Sequence, residues 1–85
     1  MKARVFVTLK PSVFDPQGNT IAEALHSLGY DAVADVRQGK YFELDVRAGS
    51  PAEAEKVVND VASKVLANPV IESFRIEVAP EGGSR

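Results

Sequence analysis

Hydrophobic and polar residues alternate near the beginning and the end of this chain, and a period of two is typical of a strand with one buried face. The first such stretch runs from Lys2 to Lys10 and the last from Val70 to Ala79. The polar side of the first stretch is interrupted by one aromatic residue, Phe6. The positions predicted to face the core are Ala3, Val5, Val7 and Leu9 in the first strand and Val70, Phe74, Ile76 and Val78 in the last.

The same alternation occurs between Ala32 and Val46, on both sides of Gly39, and predicts two strands joined by a tight turn. A two-residue turn would mix the two faces and set Arg37 opposite Lys40. A three-residue turn from Arg37 to Gly39, with the glycine left-handed, keeps the apolar residues together. This register predicts the pairs Val36–Lys40, Ala34–Phe42 and Ala32–Leu44, and it leaves Val33, Asp35, Tyr41, Glu43 and Asp45 on the other face.

A short amphipathic helix is predicted from about Thr20 to Leu28. Thr20 and Glu23 fit a capping box, in which two side chains accept hydrogen bonds from free backbone amides of the first turn. Gly29 supplies the left-handed residue that ends many helices. The predicted apolar stripe consists of Ile21, Ala24, Leu25 and Leu28.

A second, longer helix is predicted to begin at the capping box of Ser50 and Glu53, with Pro51 at its first position. Asn68 and Pro69 close this helix. Its apolar stripe continues over about three and a half turns and consists of Ala54, Val57, Val58, Val61, Ala62, Val65 and Leu66.

The connection from Pro11 to Asn19 is long, because about 2–6 residues are usual in a compact domain. It contains two apolar residues, Val13 and Phe14. They fit either a lid over the edge of the core or a recognition loop carried on a rigid frame.

The order of elements is therefore strand–helix–strand–strand–helix–strand. Short connections and right-handed crossovers favour an α+β fold of the ferredoxin-like βαββαβ type, a four-stranded antiparallel sheet with two helices on one face. Residues 1–79 form this single domain, and residues 80–85 are expected to be a flexible tail. The first and third strands would be central, so Phe6 and Tyr41, with Val33 nearby, would lie on the helix-free face. Such a cluster favours sheet-on-sheet self-association.

The composition excludes several classes of function. The chain has 85 residues, no cysteine and a net charge of −2. These values argue against a disulfide scaffold, a thiolate metal site and non-specific nucleic-acid binding. The sequence has neither an apolar run long enough to span a bilayer nor a signal-peptide core, so we expect a soluble cytoplasmic protein.

Candidate catalytic residues are few. His26 is the only histidine and is predicted to face solvent on the first helix, without a second ligand for a metal. Asp35, Glu43 and Asp45 could in principle perform acid–base chemistry. However, they alternate along an exposed strand, where solubilising charges are common.

Anion and nucleic-acid sites are also weakly indicated. The loop before the first helix lacks the arginine typical of acylphosphatases. Phe6 and Tyr41 could in principle stack on RNA bases, but the net negative charge of the chain argues against RNA binding. Arg37 and Lys40 flank the predicted hairpin tip. They fit either an ordinary solvated turn or a docking point for an acidic surface or phosphate.

Three stretches of the sequence point to one known protein family. The motifs Leu9-Lys10-Pro11, Asp15-Pro16-Gln17-Gly18 and Leu28-Gly29-Tyr30 resemble the beginning of the PurS family, and residues 33–40 resemble its central hairpin. The segment from Leu66 to Glu77 is similar to its C-terminal end. The likeness covers nearly the whole chain, with Ser12 in place of a common glycine as a slight departure.

This resemblance implies an accessory subunit of phosphoribosylformylglycinamidine synthase, in de novo purine biosynthesis. In that family the small subunit is oligomeric and joins a glutaminase subunit to a large synthetase subunit, which holds ATP and Mg²⁺. No cofactor, metal or catalytic residue is expected in this chain. An ACT-like domain that senses small molecules is the alternative, followed by an acylphosphatase-like enzyme. The interface candidates are Phe14, Asp15 and Gln17 in the loop, Arg37 and Lys40 at the tip, and Phe6, Val33 and Tyr41 on the open sheet face.

Overall fold

The computed structural model describes residues 1–79, so the predicted tail at 80–85 lies outside the described residues. Its three strands are β1 (Lys2–Leu9), β2 (Gly39–Asp45) and β3 (Glu72–Ala79), which form an antiparallel sheet in the order β2-β1-β3. The helices are α1 (Pro16–Ser27) and α2 (Pro51–Val61), and one π-helical turn, Ala62–Leu66, extends α2. The predicted α+β class is confirmed.

The core lies between α2 and the sheet and is built from small side chains. Val5, Val7 and Val58 are fully buried, and the alanines Ala54 and Ala62 let α2 approach the sheet closely. The larger apolar residues only border this core, and they include Phe42, Leu44, Leu66, Phe74, Ile76 and Val78. A core of this size provides limited stabilisation, because a fully buried valine contributes only about 1.5–3 kcal/mol.

Helix α1 begins four residues earlier than predicted. Asp15 is its N-cap and accepts a hydrogen bond from the Gly18 N–H at 2.9 Å, and Pro16 is at the first position. The predicted capping role of Thr20 is wrong, because its hydroxyl donates to the Pro16 carbonyl. Asp-Pro is itself a start signal, and it takes precedence over the Thr-Glu pair within the helix.

Gly29 ends α1 as predicted, with φ of +96°. Ser50 caps α2, and its hydroxyl accepts from the Glu53 N–H at 3.2 Å. The last strand begins at Glu72, so the prediction that Val70 faces the core is wrong. Val70 is 76% exposed and precedes the strand.

The predicted strand between Ala32 and Arg37 is absent from the described residues, and so is its hairpin. The segment instead runs back along α1: His26 Nε2 lies 2.6 Å from the Val33 carbonyl, and the Val36 carbonyl passes over Gly18. β2 pairs with β1, with Tyr41 opposite Phe6 and Phe42 opposite Val5. In β2 the alternation correctly predicted that Phe42 and Leu44 face the core, but it predicted the wrong partner strand. In the segment before β2 the predicted apolar face is wrong, because Ala32 and Ala34 are exposed.

Helix α1 and the segment that returns along it, residues 16–38, form a unit that we call the arm. The arm is not packed on the sheet beside α2, so the prediction of two helices on one face is wrong. The chain extends over 50 × 29 × 14 Å with a radius of gyration of 16.1 Å. A compact domain of this length would have a radius of gyration of roughly 12 Å. Within residues 1–79, none of the helices is long and apolar enough to cross a membrane.

Candidate protein-interaction site

An aromatic cluster lies on the helix-free face of the sheet, as predicted. The rings of Phe6 and Tyr41 are cross-strand neighbours with centroids 5.1 Å apart. The Arg75 guanidinium lies 4.2 Å from the centroid of the Phe6 ring. The Tyr41 side chain is 49% exposed. Aromatic and arginine side chains that share one exposed surface are typical of the energetic centres of protein interfaces.

Charged groups of both signs surround this cluster. Arg4 Nη1 lies 3.5 Å from Glu77 Oε1, and Arg75 donates to the other oxygen of the same carboxylate. The hydrogen bond from Arg75 lowers the pKa of Glu77. The Tyr41 hydroxyl donates to Glu43 at 2.8 Å, and this bond raises the pKa of Tyr41. The face therefore has an aromatic centre and a charged rim, in which two arginines share the Glu77 carboxylate.

Val33 does not join this cluster. It lies in the arm, where its N–H donates to the Tyr30 carbonyl and its own carbonyl faces the His26 ring. The sequence prediction depended on a fourth strand that would have carried Val33 onto the sheet. Because that strand is not formed, only Phe6 and Tyr41 of the predicted trio meet.

Arg37 and Lys40 do not form a free hairpin tip. Arg37 Nη2 donates to the carbonyl oxygens of Lys10 at 2.8 Å and Val13 at 2.9 Å. Lys40 Nζ lies 3.5 Å from Glu72 Oε2 on the other edge strand. Arg37 thus has a structural role, because it holds the loop between β1 and α1. The sequence did not predict this role, since a contact with backbone carbonyls requires no particular residue type at their positions.

Asp15, the last residue of the same loop before α1, binds the returning segment of the arm. Its carboxylate accepts from the Gly18 N–H and, at 2.8 Å, from the Gln38 N–H. Gln38 also donates through its side chain to Gln17 at 2.6 Å. Only 5% of Asp15 is exposed. The hydrogen bonds from Gln38 and Gly18, in that order, hold the pKa of Asp15 below its ordinary value.

The lowered pKa of Asp15 predicts a specific acid sensitivity. A carboxylate with a lower pKa in the folded chain stabilises the fold above its unfolded value of about 3.9 and loses this effect as the pH falls through its folded value. Asp15→Asn turns an amide nitrogen toward one of the two N–H donors. We expect it to lower the Tm near neutral pH by roughly 5 °C and to flatten the fall of Tm with decreasing pH below about pH 5.

Thermal unfolding followed by circular dichroism measures both effects. Asp31→Asn is the matched control, because Asp31 is an exposed carboxylate outside this network. If Asp15→Asn and the control had the same pH profile as the unchanged chain, the Asp15 carboxylate would not hold the arm.

The other candidates remain at the surface. Phe14 is 69% exposed, so the interpretation of this residue as a lid on the core is wrong. Glu43 and Asp45 are exposed on β2, and Asp35 accepts from the N–H of the next residue. Among residues 1–79, no group of three or more histidine or acidic side chains is placed to hold a metal ion.

Comparison with known proteins identifies the family. A model of the PurS family, described as phosphoribosylformylglycinamidine (FGAM) synthase, matches residues 2–80. The chain belongs to the PurS family. The PurS subunit of phosphoribosylformylglycinamidine synthase from Bacillus subtilis is 48% identical over 77 residues, which are 91% of this chain and 90% of that protein. PurS proteins are subunits of this ligase of purine biosynthesis, as the sequence resemblance implied.

Solved PurS structures share the observed fold. The B. subtilis PurS structure has a TM-score of 0.80 at 46% identity and covers 93% of this chain and 98% of its own. A chain in the structure of PurLQS from Thermotoga maritima has a TM-score of 0.82 at 30% identity, with 89% of this chain and 93% of that chain covered. The PurS fold therefore includes the arrangement of arm and sheet described above.

Proposed function

We propose that this PurS chain is a non-catalytic bridging subunit that joins the glutaminase and synthetase subunits of phosphoribosylformylglycinamidine synthase. In this proposal the synthetase subunit holds ATP and Mg²⁺, and this chain holds no cofactor. The PurLQS structure among its relatives supports the proposal, since it contains a PurS-like chain within a larger assembly.

The observation that carries the proposal is the amount of surface that the chain leaves uncovered. Its accessible surface is 5911 Å² for a mass of 9.1 kDa. A compact monomer of that mass exposes roughly 4,900 Å². The excess of about 1,000 Å² is comparable to one partner's share of a standard protein interface.

The open sheet face around Phe6 and Tyr41 is the proposed docking surface for a partner subunit, and Phe14 is a second contact. Asp15, Gln17 and Arg37 contribute indirectly, because they fix the loop that presents Phe14. Lys40 keeps 55% of its side chain exposed beside this loop and remains available to an acidic partner. The same proposal includes the association of two or more copies of this chain with one another.

Reconstitution tests the bridging role. The isolated chain should be inert, and mixing it with the glutaminase and synthetase subunits should restore glutamine-dependent turnover. The activity should rise to saturation as the chain is titrated into fixed amounts of the other two subunits, because an assembly factor acts stoichiometrically. Full glutamine-dependent activity without this chain would overturn the proposal.

A pair of variants within the same titration locates the docking surface. Tyr41→Ala removes the aromatic centre of the open sheet face and should raise the concentration needed for half-maximal activity by about tenfold or more. Ser73→Ala is the matched control on that face, since Ser73 is exposed and lies at the same end of the sheet. Equal half-saturation concentrations for the two variants would count against this surface.

A further inference from the structure

Two loops at one end of the sheet, where β1 ends and β3 begins, carry exposed apolar side chains. Phe14 belongs to the loop between β1 and α1, and Val70 and Ile71 belong to the turn before β3. The two loops are joined, because the Lys10 N–H donates to the Ile71 carbonyl at 2.8 Å. This bond continues the β1–β3 pairing by one position, so Lys10 and Ile71 are cross-strand neighbours. We call Lys10, Phe14, Val70 and Ile71 the end surface.

The loop that carries Phe14 is fixed on both sides of this residue. The Val13 carbonyl accepts from the Arg37 guanidinium at 2.9 Å, and the Asp15 carboxylate accepts from the Gln38 N–H at 2.8 Å. Both neighbours of Phe14 are therefore held by consecutive residues of the returning segment. The exposed ring is presented on a rigid frame, which lowers the conformational entropy that binding would cost.

The turn that carries Val70 and Ile71 is fixed as well. The Asn68 N–H donates to Glu72 Oε1 at 2.7 Å, and the Asn68 carbonyl accepts from the Glu72 N–H at 2.7 Å. The side-chain oxygen of Asn68 accepts from the Val70 N–H at 3.0 Å. These bonds close the turn and hold its two apolar residues outward. The end surface is thus an exposed apolar surface on two polar-anchored loops, as expected of a preorganised binding site.

The charged groups at this end differ in direction according to their sign. Asp15 is buried with both carboxylate oxygens bound to backbone N–H groups. Only 15% of the Glu72 side chain is exposed, and its second oxygen lies 3.5 Å from Lys40 Nζ. Lys10 and Arg37, in contrast, form no ion pair with a carboxylate of residues 1–79. A protein that approaches the end surface therefore meets positive charge beside the apolar side chains.

We propose that the end surface binds a segment of another subunit of the synthase complex in which carboxylates flank an apolar side chain. The apolar side chain packs against Phe14, Val70 and Ile71, and the carboxylates lie beside Lys10 and Arg37. Complementary charge at the rim of an apolar contact orients the two surfaces and excludes unsuitable partners. This inference rests on the bridging role proposed above, and it specifies the chemistry of one partner segment.

A second copy of this chain does not fit the end surface. An isologous contact would place Lys10 and Arg37 of one copy against the same residues of the other, and like charges in an interface repel. A contact with a different surface of another copy would be heterologous, and it would continue into a ring or a filament. An acidic segment of a different protein has neither difficulty.

Photo-cross-linking in the reconstituted complex tests this assignment, because the chain has no cysteine of its own. Phe14→Cys is labelled with benzophenone maleimide, mixed with the glutaminase and synthetase subunits and irradiated. We expect a covalent product with one of these two subunits, and mass spectrometry should locate the link in a peptide whose carboxylates flank an apolar residue. Lys56→Cys is the matched control and should give only background product. Lys56 is exposed about 160° around α2 from the buried Val58, at about 100° per residue.

The reconstitution titration measures the same contact as an affinity. Phe14→Ala and Lys10→Glu should each raise the concentration needed for half-maximal activity by about tenfold. The effect of Lys10→Glu should shrink as salt is added, because salt screens exposed charges. Lys56→Glu makes the same change of charge away from the end surface and should leave the titration unchanged. Thermal unfolding establishes that each variant is folded before it is mixed.

The outcomes separate this inference from the bridging proposal. A link from position 14 to a second copy of this chain, or to a segment without carboxylates, would overturn the inference and leave the bridging role standing. Equal half-saturation concentrations for Lys10→Glu and Lys56→Glu would overturn the charge complementarity. The bridging role itself fails only if the two larger subunits reach full glutamine-dependent turnover without this chain.

Discussion

Substitution of Gly39 or Gly18 by alanine is expected to destabilise the fold strongly. A Cβ at Gly39 would lie 2.2 Å from the Val7 carbonyl, and a Cβ at Gly18 would lie 2.2 Å from the Val36 carbonyl. Both neighbours are backbone atoms, so strands or arm must move apart to make room. The expected cost is about 1–3 kcal/mol for each variant, and thermal unfolding should show a fall in Tm of roughly 5–20 °C.

The two glycine variants should differ in what they disturb. Gly39→Ala affects the β1–β2 pairing, whereas Gly18→Ala loosens the returning segment on α1 and should raise amide exchange across residues 31–38. Gly49→Ala is the control, because a Cβ there meets only the flexible Glu53 carboxylate at 3.3 Å. Equal Tm values for Gly49→Ala and Gly39→Ala would contradict this account of the sheet.

The elements that depend on short-range patterns could be predicted from the sequence. The alternation in β1 identified Ala3, Val5 and Val7 as core residues, and Ser50-Pro51 identified the first turn of α2. Phe6 and Tyr41 were placed together because the strand order set β1 beside β2. Each of these features is determined by residues close in sequence or by the rules of strand connection.

The arm could not be predicted because its position depends on long-range polar contacts. Arg37 binds carbonyl groups 24 or more residues away, and Asp15 binds an N–H that is 23 residues away. Neither contact needs a particular residue type at the backbone partner, so no pattern records it. The apolar alternation of residues 32–36 predicted a strand, but the segment lies along α1 instead, with Ala32 and Ala34 exposed.

The register of β1 and β3 has a consequence for biosynthesis on the ribosome. Lys2 pairs with Ala79 and Leu9 with Glu72, so the central strand of the sheet needs a strand that is translated after all the other described elements. Helix α2 also depends on β3 for much of its packing. The nascent polypeptide therefore cannot complete its hydrophobic core until Ala79 has been synthesised.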